Sequence, residues 1–273
     1  MRTHIHRMIY PTGLVIMLAL FALLNTALAG NIRLTSAEAE RIGYKIWLNE
    51  TGGDPAYLIA WNQGETFASL GIGHFIWYPA GQRGPFQESF PELVQFLQNQ
   101  RVLLPDWLSP MTPCPWATHE DFLQAQHSRE MQDLRVLLTH TTAQQVQFII
   151  QRLERALPMI VTSLAAEAER HHVYQQFYRV AGTPHGIYAL ADYVNFKGEG
   201  VAPTERYQGQ GWGLLQVLQA MPGTTPDAAN EFADAAEFAL TRRVRNAPAE
   251  RQEQEARWLP GWKARINTYR RAL

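Results

Sequence analysis

A glutamate that ends an amphipathic segment, followed by a Gly-x-Gly-His turn, constrains the fold of this chain most. The segment over 42–50 carries apolar residues at helical spacing and ends at Glu50, two residues before the pair Gly52-Gly53. Further along, an alternating stretch over 66–77 contains Gly71-Ile72-Gly73-His74. Helical spacing predicts a helix and alternation predicts a strand, and glycines end both kinds of element. We therefore predict an α+β fold in which a helix delivers Glu50 to a small hairpin.

Residues 1–29 have the pattern of a secretory signal peptide. Two arginines precede an apolar run over 14–24, and Ala27-Leu28-Ala29 forms a small-residue cleavage site. The apolar run is too short to cross a bilayer as an ordinary helix. We predict cleavage after Ala29 and a periplasmic or secreted protein. Retention of the segment as an uncleaved anchor is the alternative, and we expect membrane contact only by that route.

Composition argues against several other classes of protein. The formal net charge is −1 and no polybasic block occurs, so we expect no nucleic-acid partner. Cys114 is the only cysteine, which excludes an internal disulfide and favours a small buried residue. The chain has no His-Glu-x-x-His, no spaced Cys/His cluster and no glycine-rich phosphate loop. We therefore expect neither a metal nor a cofactor.

The remaining pattern predicts a mainly helical α+β chain with a cleft between a small hairpin lobe and a larger helical lobe. Thr35-Ser36-Ala37-Glu38 has the pattern of a capping box. Strands are predicted over 56–62 and 66–77, and helices over 119–138, 142–157, 159–180, 184–197, 211–221, 226–245 and 248–271. Thr183-Pro184 and Thr225-Pro226 each have the pattern of an N-cap followed by proline. The predicted parts of the mature domain, 30–273, are an N-terminal lobe (30–100), a helical insertion (101–182) and a C-terminal helical lobe (183–273).

In these parts the chain resembles the phage-type lysozymes of the lysozyme-like superfamily. Glu50 matches a glutamate that ends the family's first helix, and Ser69-Leu70-Gly71-Ile72-Gly73-His74 matches a segment that crosses the cleft. The stretch 189–199 is similar to the family's central buried helix, and 242–251 is similar to its late helix–turn–helix. The resemblance covers about half of the mature chain. It implies a lysozyme-like fold and a glycosidase.

The resemblance implies that Glu50 is the general acid. A carboxyl group in an apolar pocket keeps its proton near neutral pH and can donate it to a glycosidic oxygen. The family's catalytic aspartate would fall near Asn62 or Gln63, and neither side chain is a general base. Glu65 is then the nearest substitute carboxylate, and the hydroxyl of Ser69 is an alternative that would hold the attacking water.

Five further residues are predicted to bind the substrate. Gly71 and Gly73 would permit close approach of the glycan, His74 would contact it or pin the hairpin, and Asp192 and Asn195 would reach the cleft from the central helix. The family likeness also suggests an arginine partner for Glu50, which we place at Arg251 or Arg257.

The expected function is an exported muramidase-type glycosidase that cleaves the glycan strands of peptidoglycan or a related N-acetylated glycan. Within enzymes, the alternatives are a lytic transglycosylase, which uses one residue as acid and then as base, and a chitinase-like hydrolase. Outside enzymes, the alternative is a non-catalytic glycan-binding or scaffold protein that keeps the fold. The missing aspartate favours this last alternative, whereas Glu50 and the intact Gly-Ile-Gly-His segment favour the enzyme.

Overall fold

A computed structural model describes residues 32–273, apart from residue 85 and the side chain of residue 51. The predicted signal peptide lies outside the described residues. Residues 33–273 form one compact unit, which is mainly helical with a small antiparallel sheet near its start. This confirms the predicted mainly helical α+β class.

The described part of the chain contains ten α-helices and five short strands. The helices are α1 (Ser36–Thr51), α2 (Phe90–Asn99), α3 (His119–Gln124), α4 (Arg129–His140), α5 (Thr142–Thr162), α6 (Glu167–Val180), α7 (Pro184–Lys197), α8 (Leu214–Ala220), α9 (Ala228–Asn246) and α10 (Ala249–Asn267). The strands are β1 (Ile59–Ala60), β2 (Ala68–Leu70), β3 (Phe75–Trp77), β4 (Arg206–Tyr207) and β5 (Gln210–Gly211). Short 3₁₀-helices cover Pro55–Leu58, Ala125–His127 and Thr268–Arg270.

The main sheet has the strand order β1-β2-β3, with both pairs antiparallel. The predicted Gly-x-Gly-His turn over 71–74 is confirmed, but the prediction of one strand over 66–77 is wrong, because the turn divides it into β2 and β3. Gly71 and His74 have φ values of 71° and 46°, and left-handed backbone cannot continue an extended strand. The predicted strand over 56–62 is also mostly wrong, because residues 55–58 form a 3₁₀-helix and only β1 is extended.

Helix α7 lies at the centre of the fold. Residues 186–193 are all buried, and α7 contacts α1, α5, α6, α8 and α9. Its predicted bounds and its predicted N-cap are both confirmed, since the Thr183 hydroxyl accepts a hydrogen bond of 3.2 Å from the Gly186 N–H. The capping box at Thr35 and Glu38 is confirmed as well. Local cap signals therefore fix the ends of the two helices that carry Glu50 and Asp192.

Other predicted helix boundaries are wrong. Asp227, not Thr225, caps α9, and its carboxylate accepts from the Asn230 N–H at 3.0 Å. The predicted helix over 119–138 is broken by the 3₁₀-turn at 125–127, and α5 continues through Pro158 to Thr162. Helix α2 and the β4–β5 hairpin were not predicted.

The segment 101–182, predicted to be an insertion, contributes to the body of the fold. Its longest helix, α5, packs along α1, and α6 packs on α7 and α8. Cys114 is buried, as its sequence context suggested, and burial raises the pKa of its thiol to about 12. Among the described residues, no helix is long and apolar enough to cross a membrane.

Close packing of α7 on the end of α6 predicts that Gly186→Ala destabilises the protein. A Cβ atom at residue 186 would overlap the carbonyl oxygen of Val180, which is backbone and cannot rotate away. We expect the free energy of unfolding to fall by about 1–3 kcal/mol, the usual cost of overpacking. Urea unfolding followed by circular dichroism would measure it.

The control is Gly261→Ala in α10, where a Cβ atom would meet nothing within 4 Å. Alanine is a better helix former than glycine, so this variant should be as stable as the wild type or more stable by up to about 1 kcal/mol. Equal stability of both variants would show that α6 and α7 are not in close contact.

Candidate active site

Glu50 lies in the last turn of α1, where Gly52 ends the helix in the left-handed conformation with φ 66°. Its side chain is only 12% exposed. Nη2 of Arg265, from the end of α10, donates a hydrogen bond to Glu50 Oε1. The second carboxylate oxygen, Oε2, lies 3.8 Å from Nε2 of His74 in the hairpin turn. Glu50 thus lies between the last helix and the hairpin.

Arg265 is held in place by the buried carboxylate of Asp192 on α7. The side chain of Asp192 is 0% exposed and accepts hydrogen bonds from Arg265 Nε at 2.8 Å and Nη2 at 2.9 Å. Tyr269 Oη donates to the same carboxylate at 2.6 Å. Burial alone would lower the pKa of Arg265, but the carboxylates of Asp192 and Glu50 outweigh it and raise this pKa above its usual value. Arg265 therefore stays charged.

A polar network continues from Asp192 back to α1. Asn49 Nδ2 donates to Asp192 Oδ1 at 3.0 Å and to the hydroxyl of Tyr188 at 2.7 Å. The Tyr188 hydroxyl lies 2.6 Å from Oγ1 of Thr268. Burial, and then the charge of Asp192, raise the pKa of Tyr188 to about 12, so the hydroxyl keeps its proton. These contacts tie together α1, α7 and the chain after α10 behind Glu50.

The turn over 71–74 is fixed at Ile72 from two sides. The Ile72 N–H donates to Oε1 of Gln145 at 2.9 Å, and Asn195 Nδ2 donates to the Ile72 carbonyl at 2.9 Å. Gln145 is fully buried, and its Nε2 donates to the Leu138 carbonyl at 2.8 Å. Both polar groups of the Ile72 backbone are therefore satisfied by side chains of the helical body. The predicted substrate-binding residue Asn195 lies here as an anchor of the turn.

Gly71 and Gly73 have structural reasons for lacking a side chain. A Cβ atom on Gly71 would overlap Oε1 of Gln145, and one on Gly73 would overlap the ring of Phe75. The Gly71 N–H also donates to the Leu58 carbonyl at 2.7 Å. The turn can approach Gln145 because residue 71 is glycine, and it can lie against the Phe75 ring because residue 73 is glycine.

Ser69 and Glu65, the two candidates for the second catalytic role, lie in and before β2. Ser69 is 9% exposed and is paired with Ala60 on β1 and Ile76 on β3. Glu65 is half-buried in the turn before β2, where Asn62 Nδ2 donates to its Oε2 at 3.2 Å. Glu65 is thus held locally by its own turn.

Three expectations about the surroundings of Glu50 need correction. Asp192 is fully buried, so it acts beneath Glu50 through Arg265 and does not line the surface where a substrate would bind. The arginine partner is Arg265, because Arg251 and Arg257 pair with Glu255 and Glu253 of their own helix. The neighbours of the Glu50 carboxylate are a guanidinium and an imidazole, where the sequence suggested an apolar pocket.

Sequence reasoning missed two residues that organise this site, Arg265 and Gln145. Arg265 sits in a run of arginines along α10, and nothing in its spacing distinguishes it from its neighbours. Gln145 follows the α5 start at Thr142, and a glutamine there is ordinary. A buried polar residue in an otherwise apolar face, such as Gln145 among Val146, Phe148 and Ile149, is the one local signal that could have been used.

No protein-family model matches this chain, and comparison with curated proteins and with solved structures gave no match either. Within residues 32–273 apart from residue 85, no group of three or more His, Cys, Asp or Glu side chains is placed to hold a metal ion.

Proposed function

We propose that this protein is an exported glycosidase of the lysozyme-like, muramidase type, which cleaves glycan strands of peptidoglycan with Glu50 as general acid. One observation carries the proposal. The Glu50 carboxylate is fixed by Arg265, which is fixed by buried Asp192, and it faces the anchored hairpin turn through His74. A positioned carboxyl group between a helical body and a hairpin is what acid catalysis at a glycosidic bond requires.

The two carboxylate oxygens of Glu50 have different neighbours, and the proposed mechanism gives them different roles. Oε1 accepts from Arg265 and is held in place, which leaves Oε2 on the hairpin side to carry and deliver the proton. After the proton has moved to the leaving group, the guanidinium lies next to the negative carboxylate and stabilises it. Asp192 balances the charge of Arg265 and prevents it from moving.

The second half of the reaction has two candidate routes. Glu65 could act as the base for an attacking water, in which case inversion requires carboxyl groups roughly 6.5–9.5 Å apart. Alternatively, the hydroxyl of Ser69 could hold the water. The side chain of Glu65 is held within its own turn by a hydrogen bond from Asn62, which favours a mechanism without Glu65. The second candidate function is therefore a lytic transglycosylase, in which Glu50 acts first as acid and then as base.

The test is mass spectrometry of muropeptides released from intact sacculi by the purified mature protein. We expect the wild type to release muropeptides and Glu50→Gln to release none, since the amide cannot donate a proton. Hydrated ends would indicate a hydrolase, and anhydro ends a transglycosylase. Digestion of chitin in parallel would identify a chitinase-like specificity.

The matched control is Glu253→Gln, which removes a glutamate paired with Arg257 on the surface of α10, where Glu253 is 86% exposed. This variant should release muropeptides like the wild type. If neither the wild type nor Glu50→Gln released any product, while the protein still bound sacculi, the non-catalytic glycan-binding function would replace the enzyme.

A further inference from the structure

Lys197, the last residue of α7, lies between two aromatic rings. Its Nζ is 3.9 Å from the centroid of the Phe196 ring and 3.7 Å from that of Trp262 on α10. The guanidinium of Arg265 packs on the same Phe196 ring, with Cζ 4.3 Å from its centroid. Since Arg265 also donates to Glu50, the Phe196 ring and the Arg265 guanidinium connect Lys197 to the candidate acid.

The two arginines of this region each have a carboxylate partner, and the half-buried Lys197 does not. Arg265 is paired with Asp192 and Glu50, and Arg243 donates to both oxygens of the buried Glu255 at 2.9 Å. Among the described residues, the contacts of the Lys197 ammonium are the two rings alone. Arg243 and Arg265 add like charge, which the carboxylate of Glu255 offsets only in part.

An ammonium in such a place is costly for the folded protein. Burial and then the charges of Arg243 and Arg265 lower the pKa of Lys197 to about 7. Cation–π contacts offset part of the lost hydration, but a ring cannot accept the ammonium's three hydrogen bonds. A carboxylate supplied by a ligand would meet both needs, charge and hydrogen bonding.

We propose that Lys197, with the rings of Phe196 and Trp262, forms a subsite for a carboxylate carried by the sugar strand next to the bond that Glu50 cuts. This subsite rests on the proposed glycosidase function and specifies its substrate. Trp258 extends the aromatic surface outward, because it is 42% exposed and its ring centroid lies 6.0 Å from that of Trp262. Aromatic faces suit sugar rings, and the ammonium adds selection for an acidic sugar.

Two carboxylates of peptidoglycan fit this chemistry. N-acetylmuramic acid is N-acetylglucosamine with an added lactyl group, whose carboxylate is free when no peptide is attached. When the peptide is attached, the carboxylates lie on the peptide instead. A comparison of N-acetylglucosamine, N-acetylmuramic acid and muramyl dipeptide therefore separates a neutral sugar from the two sources of negative charge.

The experiment is NMR titration of the wild-type protein at pH 6 with these three compounds, none of which has a glycosidic bond for the enzyme to cut. We expect N-acetylmuramic acid or muramyl dipeptide to bind at least about tenfold more tightly than N-acetylglucosamine, the scale of a charge-assisted hydrogen bond. If N-acetylmuramic acid alone binds more tightly, the ligand of Lys197 is the lactyl carboxylate. If muramyl dipeptide binds more tightly, the ligand is a carboxylate of the peptide.

The variant Lys197→Gln should bind all three compounds equally, and Lys197→Met repeats the test with an apolar side chain of similar length. The control is Lys263→Gln, because Lys263 lies beside Trp262 but its ammonium is already paired with Glu237 at 2.7 Å. It should keep the wild-type preference. Circular dichroism would establish that each variant is folded.

Equal affinity of the wild type for the neutral and acidic sugars, an unchanged preference in folded Lys197→Gln, or absence of binding by all three would overturn the subsite. These outcomes are independent of muropeptide release. If release depends on Glu50 but the preference is absent, only the subsite is wrong. If the preference depends on Lys197 but nothing is released, only the glycosidase is wrong.

Discussion

Replacing Asp192 with alanine is expected to lower the free energy of unfolding by about 3–5 kcal/mol, because it leaves a buried guanidinium without its main counterion. Asp192 is 0% exposed, and Arg265 is only 13% exposed. The hydroxyl of Tyr269 and the amide of Asn49 would lose an acceptor in the same substitution. Urea unfolding at pH 7, followed by circular dichroism, measures the loss.

The matched control is Asp234→Ala, which removes a carboxylate that is 73% exposed and paired with Arg270 at 2.8 Å. A surface pair of this kind contributes about 0–1 kcal/mol, so this variant should be nearly as stable as the wild type. Asp192→Asn keeps the shape and removes the charge. If it unfolded like the wild type, the charge of Asp192 would not be what holds Arg265.

The second large effect concerns Lys197 and pH. In the unfolded chain Lys197 titrates at its usual value of 10.5, and in the folded protein at about 7. Between these values the unfolded chain binds more protons, so the free energy of unfolding should rise with pH, by up to about 1.4 kcal/mol per pH unit. Below pH 7 both states carry the charge, and the cost of burying it is fully present.

Lys197→Met should remove this pH dependence. We expect the variant to be more stable than the wild type by about 2 kcal/mol or more at pH 6, and the difference to shrink as the pH rises through 8 and 9. The groups that face Lys197, namely Arg243 of α9 with Glu255 and Arg265 of α10, stay in place in both proteins. The buried thiol of Cys114, whose pKa is also raised, contributes equally to both curves and cancels in their difference.

Urea unfolding of both proteins at pH 6, 7, 8 and 9 gives the measurement, with Lys263→Met as the control for loss of a lysine in a surface pair. Parallel curves for the wild type and Lys197→Met would mean that Lys197 is solvated in the folded protein. The aromatic contacts would then not isolate it from water, and its ammonium would not need a carboxylate from a ligand.

The parts of the fold that could be predicted from sequence are those set by neighbours along the chain. For α7, Thr183, Pro184 and Gly198 define both ends, because a side-chain cap, a fixed φ and a residue with φ 76° all act locally. At α9 the same pattern predicted the wrong N-cap. The Thr225 hydroxyl donates a hydrogen bond to Glu231 at 2.9 Å, and Asp227 is the capping residue. Two capping residues so close in sequence cannot be ranked from sequence alone, because Glu231 is itself held by Arg179 of α6.

The parts of the site that could not be predicted depend on contacts between distant residues. Glu50 and the turn at 71–74 were both identified, and the structure places His74 near the Glu50 carboxylate. Arg265 and Gln145 could not be identified from sequence, because their roles exist only once α10 and α5 have packed beside α1 and the hairpin. The burial of Asp192 has the same origin, since an aspartate on a helix shows its depth only in the folded body.

The contact between Glu50 and Arg265 joins residues 215 positions apart in the sequence. Of the side chains of α10, those that are fully buried are Glu255 and Ile266, and the helix packs mainly on one neighbour, α9. Elements held in this way open before the rest of a protein unfolds, and distant contacts close late during folding. Glu50 would therefore gain its arginine partner late in folding and lose it early in unfolding. If Glu50 is the proposed acid, a protein with an intact sheet and central helix would already be inactive once α10 had detached.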